Sequence, residues 1–80
     1  MKIPSIKKLV DQYSLTQLKA AEEALLDEQQ PAIEVEGDDE GEKLTHIMAA
    51  QFIKQEMEQK GLDYLSALRS YSGRVRNSIS

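Results

Sequence analysis

The sequence has 80 residues, a net charge of -4 and no cysteine. A chain of this length forms a single domain, here residues 1–80, whose small core leaves only a narrow margin of stability. The lack of cysteine excludes disulfides, thiolate metal sites and cysteine nucleophiles. Self-association is the other common way to reinforce so small a domain, and we expect it here.

The N-terminal residues contain no apolar run long enough for a signal peptide. No segment approaches the roughly 20 consecutive apolar residues that a membrane-spanning helix needs. We therefore expect a cytoplasmic protein that does not enter a membrane.

A short amphipathic helix is predicted from Ser5 onward, with Pro4 fixing its entry. It has only about two turns, so it needs packing partners to persist. Its apolar residues have the i, i+3, i+4, i+7 spacing of one buried helix face: Ile6, Leu9, Val10 and Tyr13.

A second helix is predicted from Leu15 to Gln29. Ser14 and Gln17 stand at the spacing of a capping box, and Pro31 is expected to end the helix. One apolar stripe runs along it, made of Leu15, Leu18, Ala21, Leu25 and Leu26.

The segment from Ile33 to Glu42 is predicted to be a short acidic arm. The alternation Ile33-Glu34-Val35-Glu36 has the period of a strand, and glycines bracket the acidic turn that follows. One such alternation makes either an extended arm packed on the helices or an edge that pairs with another copy. The acidic residues of the arm are candidates for docking a protein partner: Glu34, Glu36, Asp38, Asp39, Glu40 and Glu42.

The third helix is predicted to begin near Gly41 and to end at Lys60, with Gly61 as a left-handed stop. Carboxylates at its start are stabilised by the positive end of the helix dipole. Its first half is apolar on several sides, more than so short a chain is expected to cover. A second subunit is therefore predicted to cover a seam formed by Ile47, Met48, Phe52, Ile53 and Met57.

A last helix is predicted from Tyr64 to Ile79, capped by Asp63. Its apolar stripe contains Tyr64, Leu65, Leu68, Tyr71, Val75 and Ile79, and Gly73 falls on the outer face. Arg69 and Arg76 lie on one flank of this stripe and Arg74 on the other.

Charge is distributed unevenly along the chain. No lysine or arginine interrupts the acidic residues between Glu22 and Glu42, whereas the arginines lie near the C-terminus. This asymmetry favours association between copies over nucleic-acid binding, which needs one broad basic face. A regulator that contacts nucleic acid through Arg69, Arg74 and Arg76 is the alternative function.

Metal sites are only weakly indicated. A calcium loop that starts at Glu36 would place Ile47 at its twelfth position, where a bidentate glutamate is required. Glu42 and His46 share a helix face and offer two metal ligands, a further but weaker alternative. The single histidine is more simply interpreted as a partly buried, hydrogen-bonded side chain, and we expect no cofactor.

Enzymatic chemistry is not indicated. The serines fall at caps, turns and the C-terminus, and only His46 is present to activate any of them. Gly37 and Gly41 lie among acids that would repel a phosphate. No catalytic residue is therefore predicted.

Glu22 and Gln51 fall within the apolar stripes of their helices. Polar groups placed there must find partners or cost about 1–3 kcal/mol each. Glu22 either extends outward along its aliphatic stem or pairs with Arg69, Arg76 or a tyrosine hydroxyl. Three polar residues, Glu22, His46 and Gln51, are thus candidates for polar positions within the core.

Four stretches of the sequence are similar to a known family: MKIPSIKKL, YSLTQLKAAEEALL, IEVEGDDEGEKLTHI and ALRSYSGRVRNSI. Through them the whole chain resembles a family of short, uncharacterised bacterial proteins, a domain of unknown function. The resemblance implies a standalone cytoplasmic protein with no assigned reaction, cofactor or partner.

The pattern as a whole predicts an all-α fold: a small bundle of three to four helices with a short extended acidic arm between helices 2 and 3. The function that fits best is a non-enzymatic protein-interaction module that forms a homodimer.

Overall fold

The computed structural model describes residues 2–79, with side chains for residues 2–74. Four helices follow one another along the chain: α1 (Ile3–Gln12), α2 (Leu15–Leu26), α3 (Glu40–Lys60) and α4 (Tyr64–Ile79). The longest helix, α3, packs against each of the other three. No strand occurs between residues 2 and 79, so the predicted all-α bundle with an intervening arm is confirmed.

Helix α1 begins at Ile3, earlier than predicted, with Pro4 inside its first turn. Proline fits there because its fixed φ is already helical and its missing N–H has no partner in the first turn of any helix. Ile6, Leu9 and Val10 are buried on the face that the spacing predicted.

The predicted capping box at the start of α2 is confirmed. The main-chain N–H of Gln17 donates to Oγ of Ser14 at 3.2 Å, and the N–H of Ser14 donates to Oε1 of Gln17 at 2.9 Å. Two of the helix's unpaired donors are thereby satisfied, which fixes where α2 starts.

Helix α2 ends at Leu26, three residues before the predicted end at Gln29. The reason is a C-terminal motif, not Pro31. Glu28 has a left-handed φ of 60°. The N–H of Gln29 then bonds to the carbonyl of Ala24 at 2.8 Å and that of Glu28 to Leu25 at 3.1 Å. These two bonds form a Schellman motif that closes the helix.

The acidic arm is extended chain packed on the helices, which is the first of the two predicted alternatives. Val35 is buried and Ile33 packs half-buried against the core. The alternation Ile33–Glu36 thus places its apolar side chains inward and its glutamates outward, without pairing as a strand.

Helix α3 begins at Glu40, one residue before the predicted Gly41, and both of its ends are capped. Asp39 caps the start, with Oδ1 accepting the N–H of Glu42 at 2.7 Å. Gly61 has a φ of 65° and ends the helix at Lys60, as predicted. Asp63 then caps α4 by accepting the N–H of Ser66 at 2.8 Å.

The core lies where α1, α2 and α4 meet α3. Its buried apolar residues are Ile6, Leu9, Val10, Leu18, Ala21, Val35, Ile47, Ala49, Ala50, Ile53 and Ala67.

Among the described residues, no helix combines the length and the apolar character needed to span a bilayer.

Candidate functional site

The outward side of α3 forms a long surface without charge. At 100° per residue, every position in a sector of about 120° between residues 44 and 59 is uncharged. Met48 lies near the middle of this sector and is 53% exposed. We call this surface the outer sector of α3; it consists of Leu44, Thr45, Met48, Gln51, Phe52, Gln55 and Gln59.

The outer sector differs from the predicted seam. Ile47 and Ile53 are fully buried in the chain's own core, so the predicted seam is wrong for these two residues. The cause is that α3 packs against three helices, which together cover more of its perimeter than expected. Met57 is half-buried against the core, and Met48 remains the most exposed of the five predicted residues.

Phe52 lies at the edge of the outer sector, where α4 partly covers it. Its ring lies 5.5 Å from that of Tyr71, and the guanidinium of Arg74 lies 5.0 Å from its ring centroid. Both contacts fix α4 to α3. Met48, Gln55 and Gln59 remain exposed.

Arg74 also contacts a buried acid that the sequence analysis did not single out. The side chain of Glu56 is 10% exposed, with Oε1 lying 3.7 Å from Arg74 and Oε2 lying 3.0 Å from Nζ of Lys60. The contact with Lys60 is an ion pair without a hydrogen bond, since Oε2 has no hydrogen-bond partner among the described residues. The sequence does give one indication of this ion pair: Glu56 and Lys60 are four positions apart on one helix, a spacing at which opposite charges pair.

Arg69 and Arg74 do not form one basic surface, as their prediction on two flanks of the stripe implies. Both side chains are exposed, and Arg74 also lies against Phe52 and Glu56. The two arginines are five positions apart, which is about 140° around the helix. The Arg76 side chain lies outside the described residues.

Glu22 and Gln51 are both half-buried, so neither lies fully within the core as predicted. Within residues 2–74, the Glu22 carboxylate makes no hydrogen bond or ion pair, so its predicted pairing with Arg69 or a tyrosine hydroxyl does not occur there. A half-exposed glutamate reaches water along its own stem and needs no such partner.

His46 is fully buried and holds three segments together. The N–H of Lys2 donates to Nε2 at 2.9 Å, and Nδ1 lies 2.8 Å from the carbonyl oxygen of Glu36. A carbonyl only accepts, so the proton is assigned to Nδ1. The predicted hydrogen bonding of the histidine is therefore confirmed, but the ring is fully buried and not partly buried as predicted.

These bonds bear directly on the metal alternative. Both ring nitrogens of His46 are engaged, and Oε1 of Glu42 accepts the N–H of Asp38 at 3.2 Å. The described residues also contain no group of three or more histidines and acids arranged to hold a metal ion. The structure thus does not bring Glu42 and His46 together as ligands.

The acids of the arm face solvent, except for Glu42, which is half-buried. Two of them lie near lysines of the N-terminal region: Asp38 is 3.9 Å from Lys2, and Glu36 is 3.5 Å from Lys8. Exposed ion pairs of this kind contribute about 0–1 kcal/mol. Asp39 and Glu42 accept main-chain hydrogen bonds at the start of α3, while the remaining acids form an open acidic surface.

Two groups at the start of α4 have shifted acidities. The main-chain and side-chain hydrogen bonds from Ser66 lower the pKa of Asp63. Burial raises the pKa of Tyr64, against a smaller lowering by Lys7, whose Nζ lies 5.0 Å from the ring centroid. The Tyr64 hydroxyl is buried without a hydrogen-bond partner among the described residues.

Comparison with curated proteins and with solved structures gives no match to either. The sequence model of one family covers residues 1–80. The chain therefore belongs to DUF6952, a family of unknown function.

Proposed function

We propose that this protein is a non-enzymatic interaction module of the cytoplasm that forms a homodimer through the outer sector of α3. The supporting observation is the uncharged character of that sector around Met48, which is 53% exposed. Elsewhere the chain is rich in charge, with 30% charged residues. A long surface free of charge on such a protein is suited to burial against another protein.

A second copy is the partner that this surface fits best. Each copy carries a net charge of -4, so two copies repel unless their contact excludes charged side chains. A two-fold symmetric contact places the same patch on both subunits. An uncharged sector can therefore meet itself without desolvating a charge.

The spacing along the outer sector also favours helix pairing. Leu44, Met48, Gln51 and Gln55 alternate by four and three positions, the spacing of a seam between two packed helices. Glutamines in such a seam form hydrogen bonds to the partner helix or to bridging water, which makes the contact more polar than a leucine seam. We therefore expect a dissociation constant in the micromolar range, which corresponds to a binding free energy of about -8 kcal/mol.

Sedimentation velocity between about 5 µM and 500 µM tests the proposal, since this range brackets a micromolar dissociation constant. The 9.0 kDa chain should shift toward twice that mass as its concentration rises. Met48→Lys, which places two charges at the centre of a symmetric seam, should weaken this association by at least tenfold.

Gln12→Lys is the matched control, because it adds the same charge at an exposed position on α1. It should leave the dimer in place. A wild-type chain that sediments at 9.0 kDa throughout this range would reject the proposed function. An unchanged dimer in Met48→Lys would show instead that the contact lies elsewhere.

A further inference from the structure

The two most exposed large apolar side chains of the described residues are Leu26 and Leu65, at 63% and 59%. Leu26 is the last residue of α2, and Leu65 is the second residue of α4. Each leaves more than half of its surface in water, so the two side chains do not cover each other within one chain. Both lie outside the outer sector of α3.

Leu65 borders an open, shallow cleft of about 360 Å³ that residues of α4 alone line. Arg69, one turn further along the helix, supplies a guanidinium to the same cleft, which Leu68, Ser72 and Gly73 complete. No atom lies within 4 Å of where a Cβ of Gly73 would stand. This cleft therefore combines apolar surface, one positive charge and room for close approach.

Leu26 has the opposite electrostatic surroundings. Glu22 and Glu23 lie one turn before it on α2, and Asp27 follows it directly. The one cation of α2, Lys19, lies about two turns earlier. The end of α2 is thus an exposed leucine among carboxylates.

We propose that the cleft beside Leu65 and Arg69 receives Leu26, at the end of α2, from a second copy of the chain. The inference builds on the proposed self-association but uses a surface distinct from the outer sector. In this contact the two leucines bury each other, and the carboxylates of α2 lie against the guanidinium of α4.

Charge complementarity identifies a second copy as the occupant. Arg69 lines the cleft, whereas the segment from Glu22 to Glu42 contains acids and no cation. Each copy therefore carries both halves of the contact. Opposite potentials across an interface accelerate encounter and fix its register.

The two halves of this contact are different surfaces, which constrains the assembly. If two copies exchange both halves reciprocally, the contact closes as a symmetric dimer; if each copy uses its halves toward two neighbours, it propagates as a chain. The mass of the assembly distinguishes these two forms of the same contact.

A charge-exchange experiment tests the contact in the Met48→Lys background, where the outer sector of α3 contributes nothing. Arg69→Glu and Glu23→Lys both alter exposed side chains, so both variants should fold. Each alone places like charges in the contact and should weaken self-association by roughly tenfold. Mixing the two variants pairs opposite charges again and should restore association to within about twofold of the Met48→Lys parent.

Two further variants separate docking from a general charge effect. Gly73→Leu fills the cleft with an uncharged side chain in open space and should weaken association by about tenfold or more. Lys19→Glu changes the net charge of the chain by as much as Arg69→Glu but lies away from Leu26, and it should change association by less than about twofold.

The outcomes for the two contacts are distinguishable. A mixture of the charge variants that associates no better than either alone overturns this contact, as does an unaffected Gly73→Leu protein. The outer sector is tested separately, by comparing the mass of the wild-type assembly with that of the Met48→Lys assembly. If Met48→Lys associates as strongly as wild type while mixing the charge variants restores association, the contact between α2 and α4 is supported and the outer-sector dimer is rejected.

Discussion

The imidazole of His46 lies 2.8 Å, through Nδ1, from the carbonyl oxygen of Glu36 and accepts the N–H of Lys2 through Nε2 at 2.9 Å. These two bonds connect the residue before α1, the acidic arm and α3. The nearby ion pairs of Lys2 and Lys8 are exposed and contribute little. His46 therefore positions the arm against the bundle.

Replacing His46 with alanine should lower the free energy of unfolding by about 2–4 kcal/mol. The substitution opens a cavity in the core and leaves the N–H of Lys2 and the carbonyl of Glu36 without their partner. Urea unfolding followed by circular dichroism measures the loss. Thr45→Ala, at the adjacent exposed position, is the control and should change stability by less than about 0.5 kcal/mol. An equal loss in both proteins would show that the buried bonds of His46 are not the cause.

Glu28 is held in the left-handed region, with a φ of 60°, at the position where a Schellman motif most often has glycine. Glu28→Gly should therefore stabilise the protein by about 0.5–1 kcal/mol, because glycine adopts this conformation without a steric cost. The midpoint of urea unfolding should rise. The neighbouring Asp27 has a φ of -88°, so Asp27→Gly gains nothing and should lower the midpoint. Equal effects in the two variants would contradict this account.

Gly37 is required by a close approach of the arm to α3. A Cβ built on Gly37 would lie 2.9 Å from the main-chain nitrogen of Lys43, which cannot move without disturbing the first turns of the helix. Gly37→Ala should destabilise the fold by about 1–3 kcal/mol. At Gly41 the nearest atom would be a side-chain oxygen of Asp39 at 3.4 Å, an ordinary contact. Gly41→Ala lies inside α3 and should be neutral or slightly stabilising by thermal unfolding; a greater loss there than at Gly37 would be contrary to the geometry.

Local signals in the sequence predicted the helices well where a single residue type determines the structure. Ser14 with Gln17, Gly61 and Asp63 each act on backbone within three residues of them, and each lies where it was predicted. The predicted end of α2 lay too far along the chain, because the sequence does not reveal that a glutamate adopts the left-handed conformation at residue 28. Proline at residue 31 was the visible stop, but the helix had already closed at Leu26.

The surfaces were harder to predict than the helices, because burial depends on how elements are arranged around one another. Ile47 and Met48 are neighbours in sequence and both apolar, yet one is fully buried and the other 53% exposed. Which side of α3 remains open is decided by where α1, α2 and α4 pack, and a helical stripe does not encode that. The contact of Arg74 with Glu56 likewise joins two helices whose relative rotation the spacing leaves open.

The last prediction concerns the Tyr64 hydroxyl, which is buried without a partner among the described residues. An unpaired buried hydroxyl gains nothing from burial, so Tyr64→Phe should leave stability at neutral pH unchanged or raise it by up to about 1 kcal/mol. The ring itself is retained, including its contact with Nζ of Lys7 at 5.0 Å from the centroid.

The pH dependence of stability separates the hydroxyl from the ring. Burial raises the pKa of Tyr64 in the folded chain above its ordinary value of 10.0. Above about pH 10 the unfolded chain therefore releases this proton while the folded chain retains it, and stability falls as pH rises. Unfolding measured from pH 8 to pH 11 should show a shallower alkaline loss in Tyr64→Phe than in wild type. Tyr13→Phe keeps the Tyr64 hydroxyl and should follow the wild-type profile; identical profiles for all three proteins would refute the assignment to Tyr64.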